Sequence, residues 1–566
     1  MTSTIFIVLR RMRAPLIVIV AIYAISVLGL TLIPGIDADG RPTPVLSFFD
    51  AFYFVSYTAT TIGFGEIPVA FSYGQRMWVV FCIYLTVVGW TYAIVTVLNL
   101  MREEAFQQAR SMRSFARRVR RMVDPFFLVA GYGETGQLLC RAFDHLRIAF
   151  VVIDIEQERV DEIEVQDFAR DVPALKADAA NPEVLLMAGL RHPRCLGVIA
   201  ITTNDSANLA VAMAVRLLND RIPVLCGVQS EEVAANMASF GTDYIINPFE
   251  KFAEYLSLAV RSPGSYQLLE WLTGIPGSEL KPQAEPPKGL WVVAGFGRFG
   301  SAVVKELDHC GMGLTIIDPE YQLVQSHLCL RGLGTDAVTL REAGIERAVG
   351  IVAASDDDVN NLSIAVTANE LNPDLFVVLR RNRESNRILF EAFHADLEMV
   401  PAEILAHECL AVLTTPLLSR FLQMVKLQDD AWADALVERL KQCAGTLVPA
   451  TWTVELDARA APAIHWHLSR RELSLACLMR DPSNREQRLD CHPLLLVRMG
   501  GEILLPEPGT HIESRDRILF AGTPEATSKQ ALLLSNRNAA DYVLTGREFS
   551  GAWIWEWIRR HRRQTE

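Results

Sequence analysis

The chain has 566 residues, half of them hydrophobic, and a formal net charge of −12. At roughly 100–200 residues per domain it must build several cores. So acidic a chain is no nucleic-acid binder unless its basic residues gather in one place, and they gather only around the apolar N-terminal part. The ten cysteines form no C-x-x-C pair, which points to neither a zinc site nor a disulfide framework and suits a reducing cytosol for the bulk of the chain.

From the N-terminus, Arg10, Arg11 and Arg13 precede an uncharged run from Ala14 to Gly35, and a second uncharged run extends from Met77 to Leu100. Each reaches the ~20 residues a helix needs to cross a bilayer, so two spanning helices are predicted. The first exceeds the about 7–15 apolar residues of a signal peptide and has no A-x-A cleavage site, so it is expected to be retained. Arg102, Arg110, Arg113, Arg117, Arg118, Arg120 and Arg121 follow the second span, whereas the stretch between the spans has only Arg41 and Arg76. The positive flanks place both termini on the cytoplasmic side of a multi-pass protein of the cell membrane.

Between the spans, an apolar segment, SFFDAFYFVSYTAT, leads into Thr60-Thr61-Ile62-Gly63-Phe64-Gly65-Glu66. A backbone alternating between left- and right-handed conformations turns its carbonyls to one side, and only glycine takes the positive-φ positions cheaply. Gly63 and Gly65 supply them. Alone, T-x-G-x-G is equally a turn in an extracellular loop; in the order span, short helix, loop, span it resembles a potassium-channel selectivity filter, TVGYG. That resemblance implies that the carbonyls of Thr61, Ile62, Gly63 and Phe64, with the Thr61 hydroxyl, coordinate K⁺. The preceding segment would be a pore helix whose C-terminal dipole faces the cavity, a short helix tolerated at membrane depth because protein surrounds it. The chain departs from the pattern at Ile62 for valine, Phe64 for tyrosine and Glu66 for aspartate. Phe64 lacks the hydroxyl that commonly bonds outward to pore-helix aromatics, so a less rigidly held filter is expected. In the second span Gly89 is a candidate gating hinge, with Ala93 one turn later.

From Pro125 onward short β-branched runs alternate with helical ones, the βαβ pattern of a parallel sheet. LVAGYGETGQLLCRAFDH from Leu128 aligns with VVAGFGRFGSAVVKELDH from Val292, TTNDSANLAVA with SDDDVNNLSIA, and NPFEKFAEYL with VPAEILAHECL. A whole domain is therefore duplicated. In each copy a G-x-G-x-x-G loop ends a strand and opens a helix, where backbone N–H groups and the helix dipole can meet a pyrophosphate, and an acid ends the next strand, where it can bind a ribose. These sets are Gly131, Gly133, Gly136 with Asp154, and Gly295, Gly297, Gly300 with Asp318. The same glycines also serve tight strand-to-helix packing in domains that bind nothing. The loops differ at the fourth position: Glu134 repels a pyrophosphate, whereas Arg298 can make charge-assisted bonds to one, so NAD or ADP is expected at the second. Gly274 to Gly289 holds four prolines and three glycines and reads as a linker. Past about Leu413 the pattern weakens to a small α+β lobe, ending in WIWEWIRRHRRQTE, an amphipathic helix with a basic tail.

A two-span pore followed by tandem Rossmann-like units resembles the prokaryotic ligand-gated potassium channels with RCK (regulator of K⁺ conductance) domains. The fold class implied is a membrane α-helical pore domain followed by two α/β Rossmann-like RCK domains and a small C-terminal α+β lobe. The divisions expected are a pore at 1–101, a linker at 102–123, the first RCK domain at 124–273, a linker at 274–289, the second RCK domain at 290–420 and the C-terminal lobe at 421–566. The resemblance also implies a homotetramer in the lipid bilayer above a cytoplasmic gating ring of eight RCK units, with 102–123 pulling on the pore. Family members respond to nucleotides, Ca²⁺ or both. The chain has no EF-hand loop, and the run Asp356-Asp357-Asp358 reads either as a metal site or as an acidic turn capping a helix. Two alternatives are the nucleotide-binding subunit of a Trk-type transporter, which is soluble, and a membrane-anchored NAD-dependent oxidoreductase, for which no acid/base constellation is found. His145 and His309 recur just after the loop helices, where a helix-terminal or packing role is expected rather than catalysis.

Overall fold

The computed structural model describes residues 2–36, 41–66, 70–102, 104–274, 276–277, 279, 285–320 and 327–546. The C-terminal WIWEWIRRHRRQTE stretch and much of the expected 274–289 linker lie outside these residues. The chain divides into two compact bodies, Met1–Arg121 and Met122–Glu566.

In the first body, among the described residues, two unbent helices are long and apolar enough to cross a membrane, with spans Met12–Leu32 and Tyr73–Asn99 of mean hydropathy 2.5 and 1.9. A third apolar stretch, Pro401–Leu413 with Pro416–Val425, is bent by 109° and contributes Leu405, Cys409, Leu417 and Phe421 to buried cores of the second body. The two spans pack closely: a Cβ on Gly29 would run into the indole of Trp78, whose Nε1 donates to the Ser26 carbonyl at 3.1 Å. Between them the helix Phe48–Ala59 starts at Ser47, whose hydroxyl oxygen accepts the Asp50 N–H at 3.2 Å. Ser47 is a good N-cap, and Asp50 in the first turn complements the helix dipole. Ala51, Phe54, Val55 and Tyr57 bury against Leu30, Leu46 and Phe71. Most of the expected linker is one helix, Glu104–Arg120.

The second body holds the duplication. The first copy has strands β1 (Phe126–Ala130), β2 (Ala149–Asp154), β3 (Ala174–Lys176), β4 (Cys195–Ala200), β5 (Val224–Gly227) and β6 (Tyr244–Ile246), ordered β3-β2-β1-β4-β5-β6. The second copy repeats that order with β7 (Leu290–Ala294), β8 (Gly313–Asp318), β9 (Leu328–Arg331), β10 (Gly350–Ala353), β11 (Phe376–Arg380) and β12 (Leu397–Met399). All pairings are parallel. Every residue of β1 is buried, as in a sheet covered on both faces. This is the doubly wound order, whose switch point lies between the first and fourth strands of each copy.

The copies exchange helices. Pro248–Arg261, at the end of the first copy, packs Phe249, Phe252, Leu256 and Val260 into a core with Trp291, Val293 and Phe299 of the second. Reciprocally, Pro401–Thr414 places Leu405, Cys409 and Val412 among Phe127, Val129, Tyr132 and Leu139 of the first. Tyr255 and Glu408, equivalent positions on the two helices, meet in a hydrogen bond.

The C-terminal lobe has an antiparallel sheet of β13 (Ala450–Glu455), β14 (Cys491–Arg498), β15 (Gly501–Leu504) and β16 (Arg517–Gly522), ordered β13-β16-β14-β15. Helices Pro524–Ser535 and Arg537–Thr545 follow, so the lobe is α+β. Its core recruits Leu268, Trp271 and Leu272 from the first copy's side of the linker. The expected 420/421 division falls inside the helix Pro416–Val425, because Leu417, Leu418 and Phe421 are buried with the lobe.

Candidate pore and nucleotide sites

The helix Phe48–Ala59 delivers the chain to Thr61, Gly63 and Gly65, whose φ angles are +62°, +60° and +75°, while Ile62 and Phe64 between them are not left-handed. The alternation expected from the glycines is present, and Thr61 extends it by one residue. A β-branched residue at positive φ is strained by about 1–2 kcal/mol and persists only where its surroundings over-determine it. Here the Thr61 N–H donates to the Thr58 carbonyl at 3.1 Å, and the Ile62 and Gly63 N–H groups both donate to the Tyr57 carbonyl, at 3.0 and 3.2 Å.

The loosening expected from Phe64 is offset. The Tyr57 hydroxyl donates to the Glu66 carbonyl at 2.7 Å, and its ring meets Phe64 edge-on with centroids 6.1 Å apart. Tyr53, one turn earlier, donates to Glu66 Oε2 at 3.1 Å. The hydroxyl missing from the loop is thus supplied by the helix. Tyr53 and Tyr57 stand four residues apart, on one helix face, the signal by which they could have been found.

Gly89 lies inside an unbroken helix, Tyr73–Arg102. A Cβ there would crowd the Ile22 side chain, so in this structure Gly89 also lets the two spans approach closely.

Both glycine loops bring their predicted residues together in the same way. Asp154 accepts the Tyr132 N–H at 2.6 Å and the Glu156 N–H at 2.8 Å, and Asp318 accepts those of Phe296 and Glu320 at the same distances. A Cβ on Gly136 or Gly300 would strike the carbonyl of Gly131 or Gly295, so the third glycine lets each helix sit on its loop. Two backbone bonds leave each carboxylate with lone pairs for ribose hydroxyls.

The surroundings of the loops differ. Arg159 reaches over the first, with Nε 2.9 Å from Glu156 Oε2 and Nη1 3.8 Å from Asp154 Oδ2, and 3.2 Å from where a Gly133 Cβ would sit. Asp154 is 4% exposed. Glu134 Oε1 accepts the N–H of Glu384 from the second copy at 3.1 Å. At the second loop Asp318 is only half-buried and Arg298 is exposed; the position matching Arg159 is Leu323, outside the described residues.

The Asp356–Asp358 run is three separate roles rather than one coordination sphere. Asp356 pairs with Arg380 at 2.7 Å, Asp357 caps the helix Asp358–Leu371, and Asp358 accepts from the N–H groups of Asn382 and Arg383 and the side chains of Asn382 and Asn386. The capping alternative holds. Among the described residues no group of three or more His, Cys, Asp or Glu could hold a metal ion. His145 and His309 are each the last residue of a loop helix, as expected.

Sequence reasoning missed Arg380 and Phe249. Arg380 ends β11, and its guanidinium carbon lies 4.8 Å from the ring centroid of Phe249, which the first copy's exchanged helix contributes. Arg298 lies 5.7 Å from the same centroid. Burial pulls the Arg380 pKa below its ordinary value; Asp356 opposes the shift and Arg298 adds to it. Nothing in the pattern of either copy alone signals this contact, because the exchange creates it.

Residues 16–103 match the sequence model of the ion channel family, and residues 127–248 and 291–401 each match that of the TrkA-N domain. Potassium channel protein 1 of Methanocaldococcus jannaschii is 22% identical over 202 residues, covering 36% of this chain and 59% of its own length. Probable potassium channel protein 2 of the same organism is 23% identical over 239 residues, covering 41% of this chain and 65% of its own. The chain thus spans under two thirds of these relatives. Among solved structures, a GsuK channel bound to NAD aligns over 95% of this chain and 100% of its own, at 18% identity and a TM-score of 0.44. An ion-channel domain stands where the Trk-subunit and oxidoreductase alternatives require none. The chain thus carries an ion-channel domain followed by two TrkA-N domains, the combination that the two-span potassium-channel reading expects.

Proposed function

We propose that the chain is one subunit of a homotetrameric, K⁺-selective channel of the cell membrane, gated from the cytoplasm by an adenine nucleotide, NAD or ADP. The observation that carries this reading is the left-handed alternation at Thr61, Gly63 and Gly65 on a loop between two membrane-length helices. Four such loops about an axis stack rings of carbonyl oxygens from Thr61, Ile62, Gly63 and Phe64, which replace the hydration shell of K⁺. Both termini face the cytoplasm, where two RCK units per chain form the gating ring. The helix Glu104–Arg120 lies on the covalent path from ring to pore, and Gly89 is the hinge that opens. The nucleotide sits on the second glycine loop, with Asp318 on the ribose and Arg298 at the phosphates, because the first loop is covered by Arg159 and carries Glu134. No calcium ligand set is proposed, since the carboxylates of Asp356, Asp357 and Asp358 are each engaged.

Recording from the purified chain in planar bilayers tests this. With K⁺ and Na⁺ on opposite sides the reversal potential should lie far from zero, and adding NAD or ADP to the cytoplasmic side should change open probability. A reversal potential near zero refutes K⁺ selectivity, and indifference to both nucleotides refutes the gating ligand.

A further inference from the structure

The Arg380 guanidinium is a buried cation whose one close partner is exposed. Its side chain is 7% exposed, while that of its carboxylate partner, Asp356, is 75% exposed. A second donor makes a long 3.4 Å bond to the Ala354 carbonyl, and Nε has no partner. A buried cation normally has its donors satisfied. This one relies on a solvent-washed carboxylate that can swing away at little cost.

Its position is equally specific. The Ala354 carbonyl lies 3.3 Å from where a Cβ on Gly295 would sit, so the guanidinium stands one carbonyl away from the first glycine of the second loop. Phe249 lies under both Arg380 and Arg298, holding two like charges around one ring beside a helix N-terminus that is itself positive. Such an arrangement is relieved by an anion. The first copy has neither arginine. Asn208 Nδ2 donates to the Gly227 carbonyl and Asn361 Nδ2 to that of Arg380, each at 2.9 Å, which makes Gly227 the counterpart of Arg380. Glu134 is the counterpart of Arg298, and Thr203 that of Asp356.

We infer that Arg380 is a second phosphate-binding side chain of the second glycine loop, and that Asp356 occupies it until the phosphate of a nucleotide takes its place. This rests on the reading that the second loop holds the nucleotide. Binding exchanges one charge-assisted pair for another: Arg380 turns from the carboxylate to phosphate oxygens, which its planar fork fits in bidentate fashion, and Asp356 is released to water. The exchange makes Asp356 a competitor of the ligand, so removing its charge should strengthen binding. An ion pair with only a structural role predicts the reverse.

The test is titration of the purified full-length chain with ADP, comparing wild type with Arg380→Gln, Asp356→Asn and Asp318→Ala. Arg380→Gln should weaken ADP about 10- to 100-fold, the range for hydrogen bonds to a charged group. Asp356→Asn, a change at an exposed side chain, should tighten it severalfold. If ADP binds wild type but Asp318→Ala binds as well, the second-loop reading itself fails. If binding depends on Asp318 while Asp356→Asn leaves affinity unchanged or weaker, the reading stands and this inference is overturned, whatever Arg380→Gln does to folding.

Discussion

The Tyr57 hydroxyl donates to the main-chain carbonyl of Glu66 at 2.7 Å, from a ring that also meets Phe64 edge-on. It joins the short helix to the far end of the loop, as the Tyr57 carbonyl joins the near end through Ile62 and Gly63. Tyr57→Phe keeps the ring contact and deletes one hydrogen bond, about 1 kcal/mol per subunit. The expected outcome is a functional channel with reduced discrimination, read as a reversal potential closer to zero between opposed K⁺ and Na⁺ solutions. An unchanged reversal potential would show that the Glu66 carbonyl is held by other means.

Gly63→Ala tests the loop itself. A Cβ built at Gly63 meets nothing within 4 Å in its own chain, so the cost is conformational: about 1–2 kcal/mol for an L residue at φ +60°, repeated in each subunit of the proposed tetramer. Loss of K⁺ current is expected, with the second body still folded and still binding nucleotide. Normal K⁺ currents from this variant would remove the loop from the conduction path.

What could be read from the residues was whatever repeats at short range. The spans follow from uninterrupted apolar runs, the glycine loops with Asp154 and Asp318 from fixed offsets within one βαβ unit, and the duplication from matching segments. Long-range features were out of reach. Phe249 is a neighbour of Arg298 because two helices change places, and neither local pattern encodes that exchange. The Asp356–Asp358 run reads from sequence either as a metal site or as a capping turn, and only the fold shows that successive residues reach separate partners. A glycine at 89 suits a hinge by its own freedom, but the close approach of Ile22, a second reason for a glycine there, comes from the other span and is not in the local pattern.

Leu405→Ala probes the exchange of helices. Leu405 comes from the second copy but is buried in a core with Phe127, Val129 and Tyr132 of the first. Truncating a buried leucine costs about 2–5 kcal/mol. The expected result is a lower unfolding midpoint in thermal or denaturant melts of the full chain, with Asp154 and its loop losing protection in hydrogen exchange. Loss of protection confined to the second copy would contradict the exchange.

The choice of loop is tested by a matched pair of substitutions. Asp154 and Asp318 each hold two backbone N–H groups of their own loop at 2.6 and 2.8 Å, so replacing either by alanine removes the same two bonds from equivalent places. The loss of loop bonds is therefore matched, and since Asp154 is the more buried and also lies 3.8 Å from Arg159, its replacement is the more damaging, so binding lost only in Asp318→Ala isolates the ligand's contribution. Asp318→Ala should abolish measurable ADP or NAD heat in titration calorimetry, because the ribose loses its acceptor; Asp154→Ala should leave it nearly unchanged. Arg298→Glu places on the second loop the charge that Glu134 places on the first, and an anion beside a pyrophosphate is repelled. Since Arg298 is exposed, solvent screens that repulsion, and a weakening of about tenfold, some 1.4 kcal/mol, is expected rather than complete loss. Binding that survives Asp318→Ala and disappears in Asp154→Ala would move the nucleotide to the first loop, with Arg159 as the side chain that must then yield to it.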